Sequence, residues 1–214
     1  VEDAVTAGSL QKAVLAGCKE RLTGLGFKKR SGPIYTKELG EDVNGWLGIG
    51  FSTGYYADAL GITPTVGIRH GRVEKLLAAF TESSEHDAKQ LQATFAEPLG
   101  YLMPAAEIVV WRCTAEELFT VLDDMVAAIS TYGIPYMESC VDPTAMANCI
   151  TNSTMPELEK AKRSAIVHLL RGDAGSLARA LYPLEAEVRE GGNMQIHAAR
   201  FLGNVRAYRS ADSR

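Results

Sequence analysis

Between residues 33 and 73 apolar and polar positions alternate in three consecutive runs. A period of two predicts strands with one face turned to a core. The first run, 33–39, holds Tyr35 and Thr36, both suited to extended chain. The turn formers 40–45 follow and predict a hairpin. The second run, 46–53, sets Leu47, Ile49 and Phe51 on one face and Trp46, Gly48, Gly50 and Ser52 on the other. The third, 62–70, sets Val66 and Ile68 against Thr65, Gly67 and Arg69. Connections this short cannot carry a crossover helix, so the strands are expected to be antiparallel neighbours.

On both sides of these strands the period changes to that of a helix. Leu10, Val14, Cys18, Leu22 and Leu25 predict a helix over 9–25, closed by Gly24 and Gly26. Helices are also expected over 73–80 and 85–95, and a fourth strand over 107–113. Thr114 and Glu117 form a capping-box pattern ahead of a helix over 114–131, which Gly133 and Pro135 should stop. Residues 136–152 read as irregular or weakly helical. Helices follow over 156–170, over 174–190 with Asp173 as cap, and over 194–208. The expected class is α+β: an antiparallel sheet of about four strands faced by helices, then a helical C-terminal region. The expected division is 1–152 for the α+β domain and 153–214 for the helical region.

Charge supports that division. Residues 1–152 carry 12 Lys+Arg against 19 Asp+Glu, and residues 153–214 carry 10 against 7, within an overall net charge of −4. An acidic balance without a basic stripe argues against a nucleic-acid partner. No stretch approaches the ~18 apolar residues of a membrane span. The start, VEDAVTAGSL, does not read as a secretory signal, although a leader removed ahead of Val1 is compatible with it. Cys18, Cys113, Cys140 and Cys149 form no CxxC pair. They read as buried free thiols in a reducing, cytoplasmic setting, with a Cys140–Cys149 bridge as the alternative.

The first helix, the GFKK of Gly26, Phe27, Lys28 and Lys29, the strand bearing Tyr35 and the Gly-rich run from Trp46 to Phe51 resemble the bacterial family called domain of unknown function 4304. Leu22, Leu25 and the later strand through Gly67 belong to the same likeness, which covers roughly the first 115 residues. The resemblance implies an α+β domain of bacterial origin. It brings no activity and no catalytic residue, and it does not explain the helical C-terminal third.

Several motifs suggest chemistry. Gly50-Phe51-Ser52-Thr53-Gly54 matches the G-x-S-x-G nucleophile elbow, but that elbow needs a substantial helix after Ser52, and Gly61 and Pro64 come too soon. His70, His86, His168 and His197 lack metal-ligand spacing, so no metal or other cofactor is expected. Glu116-Glu117 and Asp123-Asp124 read as solvated helix charge. The remaining candidate is the glycine-lined sheet face. Three glycines on one face let something approach the backbone closely. That is either a helix of the same chain or a ligand or partner segment between Trp46 and Tyr55, anchored by Arg69, with Tyr56 and His70 at the rim. The function expected is therefore binding of a protein partner or small ligand, an immunity-like partner of another bacterial protein being one such case; a serine hydrolase using Ser52 is the alternative.

Overall fold

A computed structural model describes residues 7–53, 59–82 and 91–212. The elements are α1 (Ala7–Gly24), β1 (Lys28–Lys29), β2 (Ile34–Gly40), β3 (Val43–Ser52), β4 (Leu60–His70), α2 (Gly71–Thr81), β5 (Phe95–Pro98), a 3-10 turn (Leu99–Leu102), β6 (Trp111–Cys113), α3 (Leu118–Ala128), a π turn (Ile129–Gly133), α4 (Ile134–Ser139), α5 (Pro143–Asn152), α6 (Glu157–Leu170), α7 (Ala174–Glu190) and α8 (Gln195–Asp212). The class is α+β, with an antiparallel sheet and a helical C-terminal region. Contacts group the chain into two compact units: Val1–Ile68 with Ala96–Ser139, and Arg69–Phe95 with Cys140–Arg214. The expected boundary after residue 152 lies inside the second unit.

In the first unit the sheet runs β1-β2-β3-β4-β5, and β6 also pairs with β4. The β2–β3 hairpin sets Tyr35 opposite Leu47 and Thr36 opposite Trp46. Leu47, Ile49, Val66 and Ile68 are buried, as alternation predicts. Leu10, Val14, Cys18 and Leu22 form the buried stripe of α1. Gly26 takes a φ of 84°, a conformation open to glycine, and Phe27 donates its N–H back to the Leu22 carbonyl at 3.0 Å. The Tyr35 hydroxyl donates to the Leu15 carbonyl at 3.3 Å, tying β2 to α1.

Several expectations are corrected. Lys28 and Lys29 are exposed and form a two-residue edge strand, where lysines discourage pairing with another chain. Phe95, expected to end a helix, opens β5; most of the helix expected over 85–95 lies outside the described residues. The strand expected over 107–113 shrinks to Trp111–Cys113. Gly133 and Pro135 do not stop the chain, because a π turn carries α3 into α4. A wide turn accommodates the missing N–H and ring of proline. Gly133 packs closely there: a β-carbon on it would stand 3.2 Å from Val66 and 3.4 Å from Leu99. Asp123 and Asp124 are both engaged: Asp123 accepts from Arg21 Nε at 2.6 Å, and Asp124 accepts from Trp111 Nε1 at 2.8 Å.

The second unit is helical apart from strand ends. Helix α6 lies at its centre, with Ala161 through Val167 all buried. The edge-on contacts of Phe80 with Phe201 and Tyr208, and the Asn204 side-chain amide donating to the Phe80 carbonyl at 3.0 Å, join α2 to α8. Residues 136–152, read as irregular or weakly helical, supply most of α4 and all of α5. Asp142 caps α5 by accepting from the N–H groups of Thr144 and Ala145. Cys140 and Cys149 are joined in a disulfide, and only Cys18 and Cys113 are free. The expectation of four free thiols is corrected, and with it the argument from them to a reducing compartment. No helix among the described residues is long and apolar enough to cross a membrane.

Candidate functional site

The glycines of the sheet make room chiefly for the protein's own side chains. Trp46, half-buried on β3, lies over Gly48: a β-carbon there would stand 2.5 Å from the indole. One on Gly45 would stand 2.7 Å from Met137 Sδ, and one on Gly61 would overlap Ser52 Oγ. Gly50 is exposed, with the Thr63 carbonyl 3.0 Å from its would-be β-carbon, and Gly67 is buried on β4. Tyr55 and Tyr56 lie outside the described residues. Arg69 and His70 end β4 and belong to the second unit. There Arg69 donates to the Gln92 carbonyl at 2.6 Å, and the His70 N–H donates to Thr94 Oγ1 at 2.9 Å.

Ser52 is the last residue of β3, and β4 begins at Leu60. The interval is too short for the helix of a nucleophile elbow, whose N-terminus would face the oxyanion. The sheet is antiparallel, whereas an elbow tops parallel strands.

A better-built site lies wholly within the second unit. Helices α5, α6 and α7 enclose a groove of about 400 Å3. Ala161, Ser164 and Ala180 are small residues on its wall, and small side chains let helices approach closely. Asn148 and Thr151 come from α5, Ser164 and His168 from α6, and Ser176 and Arg179 from α7. Lys160 adds a second cation, with the Glu157 carboxylate 3.9 Å from its ammonium at the exposed rim. Asp173 caps α7 by accepting from the Ser176 N–H at 2.9 Å, and Arg179 donates to Ser176 Oγ at 2.8 Å. That backbone hydrogen bond holds the Asp173 carboxyl below its usual range. Pro183, inside α7 and on the groove wall, has no N–H to give the Arg179 carbonyl.

His168 is the unusual member. Its Nδ1 is buried without a hydrogen-bond partner among the described residues, the nearest acid being Asp173 Oδ2 at 4.0 Å. Burial lowers its pKa from 6.5; Asp173 opposes the shift, and Arg171 and Arg179 reinforce it. The imidazole is therefore neutral at pH 7, able to donate from one nitrogen and accept at the other. Ser164, His168 and Asp173 have the residue types of a hydrolytic triad. Among the described residues, however, no hydrogen bond joins Ser164 to His168 or His168 to Asp173, so no proton relay is assembled. What the groove offers is recognition: two cations, hydroxyls, an amide and a neutral imidazole.

A separate charged cluster accompanies α6. Glu159 accepts from Lys162 Nζ at 2.7 Å and from Arg163 Nη1. Burial raises the Glu159 pKa, but these hydrogen bonds and charges outweigh it and leave the carboxyl below its usual range. Burial raises the Glu74 pKa, against the pull of Arg163, Thr94 and Arg69. No group of three or more His, Cys, Asp or Glu residues among the described residues could hold a metal ion.

The sequence marks α6, α7 and the Asp173 cap, but reads the stretch that forms α5 as irregular or weakly helical. It had not marked the groove, because Ser164, His168 and Arg179 converge only through the packing of α6 on α7. Scans against protein-family models, curated proteins and solved structures match nothing to this chain.

Proposed function

We propose that the protein is a binding module whose second unit holds a small oxyanion-bearing ligand in the groove of α5, α6 and α7. The observation that carries this reading is the buried, unpartnered Nδ1 of His168 in a groove also lined by Lys160 and Arg179. A buried polar atom without a partner is costly, and a ligand oxygen would satisfy it. Lys160 and Arg179 supply the charge that favours an anion, and the N-terminus of α7 adds partial positive charge beside Ser176. The binding class expected from the sequence is kept, and the surface moves from the sheet face to the helical groove.

Calorimetric titration with inorganic phosphate and a panel of sugar phosphates tests the reading. Binding is expected to weaken by about tenfold or more in Arg179→Gln and in Lys160→Gln, the loss typical of one charge-assisted hydrogen bond. Equal binding by both variants and the parent would overturn it, as would no binding by any member of the panel.

A further inference from the structure

Helices α2 and α6 pack on one another inside the second unit, and their seam holds charged groups that do not line the groove. On α6, Lys162 and Arg163 are both buried, and one carboxylate serves both. Glu159 accepts from Lys162 Nζ at 2.7 Å and from Arg163 Nη1. Arg163 Nε is buried and makes no hydrogen bond among the described residues. On α2, Glu74 Oε1 is likewise buried without a hydrogen bond among them. The seam therefore keeps one unused donor and one unused acceptor, on a guanidinium and a carboxyl that feel each other's charge.

The groups around Glu74 pull in opposite directions. Arg163 on α6, the Thr94 hydroxyl and Arg69 at the end of β4 favour its ionised form, and Glu159 opposes it. Arg69 and Thr94 are also engaged elsewhere: Arg69 donates to the Gln92 carbonyl, and Thr94 accepts from the His70 N–H. On α2 itself Arg72 and Lys75 flank Glu74 in sequence, and both are exposed. Helix α8 also packs on α2. Its Arg200 is set against Glu82, past the other end of α2, and its Arg206 against Glu185. His197 and Arg209 of that helix are exposed. Burial outweighs the attraction and raises the Glu74 pKa above 4.5. A neutral carboxyl is the cheaper form to leave unbonded in an interior.

We infer that Glu74, Arg163 and Glu159 form a proton-operated switch within the second unit. With Glu74 protonated, Arg163 serves Glu159 on its own helix, as in the structure. When Glu74 gives its proton to solvent, the charge left on Oε1 draws the Nε–H of Arg163. The guanidinium then turns from a bond within α6 to a bond between α6 and α2. Lys162 stays on Glu159 and keeps that carboxylate paired. Arginine suits the exchange because it carries donors on Nε and on both terminal nitrogens, in a fixed fork that one carboxylate does not exhaust. The switch is independent of the anion groove and does not rest on it.

The test is NMR of the full chain from about pH 3 to 8, following the Glu74 carboxyl and the Arg163 Nε–H signals. The Arg163 signal is expected to move with the same midpoint as the Glu74 carboxyl, above 4.5, and to stay still in Glu74→Gln. Glu159→Gln removes the competing acceptor and a like charge, so it is expected to lower the Glu74 midpoint. Because the folded pKa is raised, the stability due to Glu74 is fully present below 4.5 and is lost as pH rises through the folded value. Urea unfolding of the parent should therefore show a loss relative to Glu74→Gln over that range. An Arg163 signal unmoved through the Glu74 titration would overturn the inference. So would a Glu74 midpoint at or below 4.5, an unchanged midpoint in Glu159→Gln, or a stability difference independent of pH. Glu159 is partly exposed, so Glu159→Gln carries the same decision if Glu74→Gln does not fold.

Discussion

The indole of Trp46 lies across Gly48, two residues along the same face of β3. The pair explains why a buried strand carries glycine where a β-branched residue would raise strand preference. The large side chain and the missing one act as a unit.

Gly48→Val is therefore expected to destabilise the protein by about 1–3 kcal/mol, because a β-carbon cannot share the space with the indole. In the double variant Trp46→Ala, Gly48→Val the cost should fall below the sum of the two single costs, since the clash is gone. Urea denaturation followed by circular dichroism measures all three. Additive losses would show that the ring and the glycine are not coupled.

That pair also shows how much could be read from the chain. Alternation located β2, β3 and β4, because Leu47, Ile49, Val66 and Ile68 recur every second residue and are buried. Helical spacing located α1, and Asp173 marked the start of α7, which spans Ala174–Glu190 as expected. The role of Gly48 was misjudged, because sequence shows that a side chain is missing and not what fills its place. The break expected at Gly133 and Pro135 does not occur, because a π turn carries the helical path past both residues, and Gly133 packs closely against Val66 and Leu99. The groove was illegible. Ser164 and His168 are one turn apart on α6, but Arg179 reaches them through packing that no local pattern records.

The Cys140–Cys149 bridge closes a short loop around the start of α5, with a sequence separation of 9. A loop of that size should contribute about 2–3 kcal/mol by restricting the unfolded chain. Cys149→Ser, or reduction of the parent, is expected to lose about that much in thermal or denaturant unfolding. Asn148 and Thr151 stand on the same helix and line the groove, so phosphate binding should weaken as well. Equal stability of the oxidised parent and Cys149→Ser would contradict this role for the bridge.

The central claim is that the groove around His168 receives an anion, and the protonation of His168 tests it most directly. Burial depresses its pKa below 6.5, so its contribution to stability is fully present above pH 6.5 and is lost as pH falls from there through the folded value. An anion bound beside the imidazole favours the charged form and must raise that pKa. Sulfate is the suitable probe, since it stays fully ionised across the range. NMR titration of the His168 ring protons, with and without saturating sulfate, is predicted to show a depressed pKa that moves upward on binding, and no such movement in the double variant Lys160→Gln, Arg179→Gln. A His168 pKa that is unchanged by sulfate in the parent protein would contradict the account.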